Sequence, residues 1–427
     1  MRLSELVTVY ESTRFKNKYL VLNPKVPSWI VTNQDGLCVL KILDSILGDI
    51  SLFSIDNECL KNNDILIKNI KFIEQIYKKG LFKTNSISQF HKPFFLRNLY
   101  LNMTSKCNLN CIYCFAESRQ EDRKDNLSFD DYKAFLNEAY SISKQKLNIA
   151  FTGGEPLLNP LTLELARYAK EKGFICKLMT NGTLINKNNI DCIKSCFDEV
   201  RISMDGSTES IHDYYRGKGA YRKTVAGINL LEERGINYKL AMVVTKKNIE
   251  DVLVMKKKWG NRLIFQPYFP FSKNESILSS LAISGEEYYS VLCRDSDISP
   301  FSDIASVIEK SKKNESIYKC AIGDGELSLS SNGDVYPCQL LHFPEFLLGN
   351  IKKTSLVKIY NSSLNEKFKY HTCNCIEKCN ECNFKLLCGG ACQARHFAET
   401  GSIDKAGDFC EYEKNAIVDG LIASSFP

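Results

Sequence analysis

Between residues 99 and 265 the chain alternates short apolar runs with segments of helical pattern, and this alternation restricts the possible folds more than any other feature. Aliphatic runs at 99–103, 149–151, 176–179, 200–204, 240–244 and 263–265 are too short for helices and suit buried strands. Between them, the segments 129–143, 161–172, 188–196, 221–233 and 249–259 space their apolar residues for a helix. Strands and helices in strict succession imply parallel strands joined by crossover helices, here an α/β fold with the shape of a partial (β/α)6 barrel. The residues with the most chemistry follow strand ends: a group of cysteines after the first, Gly153-Gly154 after the second, Asn181-Gly182 after the third and Asp205-Gly206 after the fourth. That is the carboxyl-terminal face, where parallel barrels build their sites.

Composition sets limits on this picture. A chain of 427 residues with 44% hydrophobic content fills more than one core, so two or three domains are expected. The net charge of +6 is spread over residues of both signs, with no basic block or aromatic–basic interleaving to favour nucleic acid. Met1-Arg2-Leu3-Ser4-Glu5 lacks the apolar core of a signal peptide, and no uninterrupted apolar run is long enough for a bilayer, so a cytoplasmic protein without a membrane partner is expected. Eighteen cysteines in such a protein point to metal or clusters, because the cytosol keeps thiols reduced.

Cys107, Cys111 and Cys114 are spaced C-x3-C-x2-C just after the first strand. Three thiolates can hold three irons of a cubane cluster and leave the fourth iron open to a cofactor, whereas clusters that only carry electrons normally have four protein ligands. Zinc also takes clustered cysteines. The flanking residues decide, since Cys107-Asn108-Leu109-Asn110-Cys111-Ile112-Tyr113-Cys114 resembles the signature of the radical S-adenosylmethionine (radical SAM) enzymes, including the aromatic Tyr113. Thr152-Gly153-Gly154-Glu155-Pro156 is similar to the family's GGEP segment, whose backbone and glutamate hold the methionyl amino group. Paired glycines let a backbone come close to a ligand, and Glu155 offers an anion to an ammonium. Ser203, in Arg201-Ile202-Ser203-Met204-Asp205-Gly206, resembles the serine that contacts ribose or carboxylate. Arg216 resembles the arginine that pairs with the methionyl carboxylate, a task suited to its planar fork. Without the family, these would read as a strand-to-helix turn and a surface ion pair.

A second constellation lies in the carboxyl-terminal third. Cys320-x12-Gly333-x4-Cys338, then Cys379-x2-Cys382-x5-Cys388-x3-Cys392 and finally Cys410, resembles the SPASM extension of radical enzymes. The resemblance implies one auxiliary cluster on Cys379, Cys382, Cys388 and Cys410 and another on Cys320, Cys338 and Cys392. With the Cys107, Cys111 and Cys114 cluster this makes three 4Fe-4S clusters. The family's further ligand just before Cys320 is missing, so either the inner cluster has an open iron or Cys293, Cys373 or Cys375 completes it. By spacing alone, Cys379, Cys382, Cys388 and Cys392 could equally form a zinc ribbon, which would leave Cys320, Cys338 and Cys410 idle. Gly389-Gly390 places backbone amides near cluster sulfurs, where they tune potential. Cys192 and Cys196 on a helix, with Cys38, Cys59 and Cys176 in apolar surroundings, are expected to be buried small hydrophobes.

Residues 1–90 form a unit before the barrel. Segments 19–23 and 29–33 read as paired strands around a turn at Pro24 and Pro27, followed by a helix over 37–47. A second helix should bury Leu66, Ile70, Ile73 and Tyr77 and end at Gly80. This order is similar to the small winged-helix domains that recognise leader peptides in ribosomal-peptide modification, modules that bind by strand addition. Residues 86–92 read as a linker, which sets the domains at 1–90, 91–285 and 286–427.

The resemblance implies a peptide maturase that cleaves S-adenosylmethionine to a 5'-deoxyadenosyl radical and takes a hydrogen atom from an unactivated carbon. A cysteine thioether, of the sactipeptide or ranthipeptide type, is the expected product. The implied partners are a precursor peptide with a leader and a one-electron reductant such as flavodoxin or ferredoxin. Carbon–carbon crosslinking and oxidation of a protein residue, as in anaerobic sulfatase maturases, use the same architecture. A non-catalytic electron carrier or zinc-stabilised binding module would give Glu155, Ser203 and Arg216 no shared purpose.

Overall fold

The computed structural model describes residues 3–26, 28–47, 68–84, 95–114, 127–143, 145–270, 279–295 and 320–425. Strands β1 (Thr8–Glu11), β2 (Tyr19–Asn23) and β3 (Ser28–Thr32) form an antiparallel meander with β2 in the centre. β2 is buried almost throughout because both sheet faces are covered. On one face Val21 and Ile30 pack with Val39 and Leu43 of the Gln34–Leu47 helix and with Ile73 and Ile76 of the Ile70–Lys78 helix. On the other, Leu20, Leu22 and Trp29 pack with Phe384, Leu387, Ile417 and Leu421 from the far end of the chain. Asn23, fully buried, donates to the carbonyls of Leu81 at 2.8 Å and Lys83 at 3.0 Å, so the unit closes on itself as well.

The second helix turns a different face inward from the one expected. Ile73 and Ile76 are buried, while Ile70 and Tyr77 are 40% and 49% exposed. Its apolar residues admit two overlapping stripes, and contact with Val21 and Ile30 selects the narrower one. Leu66, Cys59 and the 86–92 linker lie outside the described residues. Cys38 is exposed rather than buried, because its helix gives the core side to Val39, Leu40 and Leu43.

Six parallel strands follow in chain order: β4 (Asn98–Asn102), β5 (Asn148–Thr152), β6 (Ile175–Thr180), β7 (Glu199–Ser203), β8 (Tyr238–Val244) and β9 (Leu263–Pro267). Crossover helices cover one sheet face, where Leu99, Leu101, Ile149, Phe151, Leu178, Val200 and Ile202 are buried. The alternate positions face the lumen. This is the expected partial (β/α)6 barrel, with helices outside.

The sheet does not stop at β4. β10 (Glu326–Leu329) runs parallel to it with Glu326 opposite Asn98 and Leu329 opposite Leu101. β11 (Asp334–Tyr336) and β12 (Gly349–Asn350) continue antiparallel, giving nine strands in the order β12-β11-β10-β4-β5-β6-β7-β8-β9. Among the described residues, no helix is long and apolar enough to cross a membrane.

Candidate functional site

The cysteine loop leaves the carboxyl end of β4 and is tied to the loop after β5 by backbone bonds. Met103 donates to the Thr152 carbonyl at 2.8 Å, Gly154 to Thr104 at 2.8 Å and Glu155 to Lys106 at 2.9 Å. The two loops come so close that a Cβ on Gly153 would sit 2.5 Å from the Thr104 oxygen, and one on Gly154 would sit 2.2 Å from the Lys106 oxygen. The paired glycines are therefore required by this backbone contact itself, in addition to any ligand.

Glu155 is fully buried. Its Oε1 accepts from Thr180 Oγ1 at 2.8 Å and Leu157 N at 3.1 Å, and its Oε2 from Asn181 N at 2.9 Å. Burial raises its carboxyl above the ordinary range against the pull of these donors. The carboxylate thus joins the ends of β5 and β6. From the same junction Asn181 Nδ2 reaches Asn108 Oδ1 at 2.9 Å and Cys107 Sγ at 3.9 Å. Thr152 stands half-buried at the end of β5.

Cys107 is exposed, Cys111 buried and Cys114 between the two. Ile112 N donates to the Tyr215 carbonyl at 3.0 Å, which anchors the loop to the Glu209–Arg216 helix. Tyr113 packs its ring 5.4 Å from Tyr215 and 5.7 Å from Tyr268. Arg216 lies over the Tyr113 ring at 5.5 Å, donates from Nε to Asp205 Oδ2, and points Nη1 at Cys111 Sγ, 3.7 Å away. Ser203 is half-buried at the lumen end of β7.

Asp205, placed at a strand end by the sequence, has a role that spacing alone did not assign. It has no exposure, and besides Arg216 it accepts from Val243 N at 2.9 Å. Burial alone would raise its carboxyl, but the Arg216 guanidinium outweighs this and holds it below the usual range. Its place two residues after Ser203, in a buried turn, was the available signal. An arginine drawn into such a site needs an anion.

In the carboxyl-terminal third, Cys379, Cys382, Cys388 and Cys410 line one partly open pocket, walled by Phe384 and Ile417. No three His, Cys, Asp or Glu side chains among the described residues close around a single metal ion. The four thiols instead border a common space, the arrangement that a polynuclear centre needs. Gly390, at φ +89°, turns the chain beneath it where a Cβ would sit 2.8 Å from Ile376 Cδ1. Cys373 stands on this side, packed with Cys379 and Cys410, whereas Cys293 lies beside Tyr289 and faces Arg14 and Asp419.

Cys320, Cys338 and Cys392 form a separate group at the amino end of β10. Each of their thiols is raised, first by burial. Cys320 and Cys392 raise Cys338, and Cys392 raises Cys320. Glu326 shares this site: its Oε1 accepts from Gln339 N at 3.4 Å, and the Cys338 thiol donates to its carboxylate. Burial pushes Glu326 up to about 7. Sequence reasoning missed it, since a glutamate opening a short strand carries no distinctive spacing. Elsewhere Cys176 and Cys196 are buried, and Cys192, half-buried, has its sulfur 3.7 Å from that of Cys196.

The same strand connects the two ends. The triplet follows the carboxyl end of β4, while the Glu326–Asn98 register puts the inner group at its amino end. Tyr100 lies between them, its hydroxyl raised by burial and by Glu326 and Cys338, and lowered by Arg201 of β7.

Residues 101–258 match the Radical SAM superfamily, and residues 320–383 match SPASM, an iron-sulfur cluster-binding domain. An AdoMet-dependent heme synthase of Methanosarcina barkeri (strain Fusaro / DSM 804) is 29% identical over 343 residues, 73% of this chain and 95% of that protein. The antilisterial bacteriocin subtilosin biosynthesis protein AlbA of Bacillus subtilis (strain 168) is 28% identical over 318 residues, 72% of this chain and 69% of AlbA. The crystal structure of Streptococcus suis SuiB bound to its precursor peptide SuiA superposes with a TM-score of 0.56 at 15% identity. That likeness covers 96% of this chain and 100% of SuiB, so the fold is shared along nearly the whole length.

Proposed function

Because this chain belongs to the radical SAM superfamily and carries a SPASM iron-sulfur domain, it is an S-adenosylmethionine-dependent enzyme, and we propose that it installs a cysteine thioether in a ribosomally made precursor peptide. When bound, the triplet's cluster and S-adenosylmethionine supply the oxidant that removes a hydrogen atom from carbon. Cys107, Cys111 and Cys114 would hold that cluster. Thr152, Gly153, Gly154 and Glu155 shape the wall for the methionyl amino end, with Glu155 acting through the loop it braces. Ser203 and the face of Tyr113 line the nucleoside side. Arg216 keeps one nitrogen on Asp205, and its remaining edge offers donors to the methionyl carboxylate. Cys379, Cys382, Cys388 and Cys410 would hold an outer auxiliary cluster, and Cys320, Cys338 and Cys392 an inner one, making three in all.

The observation that carries this reading is the register of β10 on β4. β4 spans five residues, roughly 13 Å from its first Cα to its last, and separates the triplet from the inner cysteines. A peptide in the lumen would have its carbon facing the cofactor and its cysteine facing the inner cluster, an acceptor for the electron released when carbon and sulfur join. The names of AlbA and SuiB support a peptide rather than a porphyrin, and the SuiB likeness extends over the amino-terminal unit. That unit, about residues 1–90 ahead of a barrel to 285 and an auxiliary domain to 427, would hold the leader by strand addition to an edge of its meander. A flavodoxin or ferredoxin would supply electrons.

The test is reduced, reconstituted enzyme with S-adenosylmethionine and a cysteine-containing precursor. Each crosslink should remove two hydrogen atoms from the peptide mass and protect one cysteine from alkylation. Product that has lost hydrogen but keeps every cysteine alkylatable would exclude the thioether.

A further inference from the structure

We propose that Glu326 is the fourth protein ligand of the inner auxiliary cluster, binding by its carboxylate the iron that Cys320, Cys338 and Cys392 leave uncovered. This deepens the proposed function and rests on the inner cluster being present.

After Cys320 the chain turns tightly, with Glu326 N donating to the Ala321 carbonyl at 2.9 Å and Glu326 bridged to Ile322. β11 then returns antiparallel, with Tyr336 opposite Ser328, and delivers Cys338 beside Glu326. The carboxylate therefore sits beside the Cys338 thiol, with Oε1 3.4 Å from Gln339 N, one residue past Cys338. Cys338 Sγ in turn accepts from Leu340 N at 3.4 Å, so the same turn presents amides to both groups.

Charge supplies the second line. No Lys or Arg among the described residues forms an ion pair with Glu326. Its companions are three cysteines that become anionic on binding iron, so a carboxylate there meets amide and thiol donors and no cationic side chain, which leaves a metal as the positive charge that suits it. The other candidates stand elsewhere: Cys373 packs with the outer set, Cys375 is exposed at the end of the same short turn, and Cys293 faces Arg14 and Asp419.

Ligand chemistry gives the position a use. Thiolate suits iron–sulfur centres better than carboxylate, so an oxygen-held iron is stable until a soft ligand arrives and then exchanges. A substrate cysteine would enter at that iron by displacing Glu326.

The test uses the full chain carrying Cys107→Ala, Cys111→Ala and Cys114→Ala, so that the reduced protein's electron paramagnetic resonance comes from auxiliary clusters alone. 2-Mercaptoethanol is the thiolate probe. Glu326→Ala should alter the inner-cluster g-values before any thiol is added, and should lower the half-saturating thiol concentration at least tenfold. Glu326→Cys should keep a cubane cluster that no longer responds. Spectra and titrations of the Glu326→Ala chain identical to those of its parent would overturn the assignment. If Glu326→Ala loses the cluster, Glu326→Cys decides: retention supports the ligand role and loss overturns it. Failure of the underlying reading looks different, because the parent triple variant would then hold well under about eight irons and show no inner signal.

Discussion

Arg216 and Asp205 form a buried ion pair, 13% and 0% exposed at their side chains, and the same guanidinium touches the Cys111 sulfur at 3.7 Å. One salt bridge thus sets the position of Arg216 and, through it, of the Cys111 sulfur, the two groups proposed to meet the cofactor and the cluster. Asp205→Asn leaves a buried cation unpaired and should cost about 3–5 kcal/mol of stability. Chemical denaturation reads the loss, and a changed spectrum of the triplet's cluster reads the freed Arg216. The Asp205 carboxyl is held below its ordinary 3.8, so its contribution is present above that pH and disappears as acid protonates it.

Gly154→Ala should act at a distance from the cysteines it disturbs. The added methyl would lie 2.2 Å from the Lys106 oxygen, so the loop-to-loop bond must break. We expect loss of about four irons, those of the triplet's cluster, with the auxiliary iron retained. Iron and sulfide analysis checks this, and full iron content would show that the loops can separate without consequence.

His212 gives a pH signature. Its Nδ1 accepts from Asp205 N at 3.2 Å, and burial holds its pKa down at about 4. The unfolded chain takes up a proton near 6.5 and the folded one does not, so stability is full above 6.5 and falls between 6.5 and about 4. The total is about 3 kcal/mol. His212→Asn keeps an acceptor for the amide and should flatten the slope of unfolding free energy from pH 7 to pH 5. An unchanged slope would assign the acid sensitivity to other groups.

Replacing Cys107, Cys111 and Cys114 together by alanine should abolish 5'-deoxyadenosine formation and lower iron from about twelve to about eight per chain. Chromatography after dithionite reduction reads the first and iron analysis the second. Persistent cofactor cleavage would remove the triplet from the mechanism.

Trp29→Ala should destabilise the carboxyl-terminal third although it lies in the front unit, because Trp29 packs in one cluster with Phe384 and Ile417. A loss of about 3–5 kcal/mol is expected for emptying that site. Weaker retention of the outer cluster, whose pocket Phe384 and Ile417 also line, would accompany it.

Much of the barrel was legible because buried parallel strands leave continuous apolar runs and crossover helices leave a 3.6-residue period. The helix at Phe129–Ser143 begins and ends where the periodicity does. What local pattern could not carry was pairing across long separations. Nothing in Glu326-Leu327-Ser328-Leu329 says that it lies beside Asn98–Leu101, more than two hundred residues earlier. For the same reason the cysteines stood out by spacing, while Glu326 and the pairing of Asp205 with Arg216, which depend on neighbours brought by the fold, did not. Ile70 and Ile76 illustrate a local limit: two stripes fit one helix, and only the partner surface chooses.

The front meander shares its core with the carboxyl-terminal helix, and Asp419 of that helix accepts from Ser12 Oγ at 2.6 Å and Thr13 Oγ1 at 3.1 Å. A unit bolted down in this way is a fixed mooring and not an arm that swings cargo inward. On the proposed function, a peptide tethered there would reach the lumen only by the length of its own chain, so the ruler that selects which residue is modified would be carried by the precursor, in the number of residues between its moored segment and its reactive carbon.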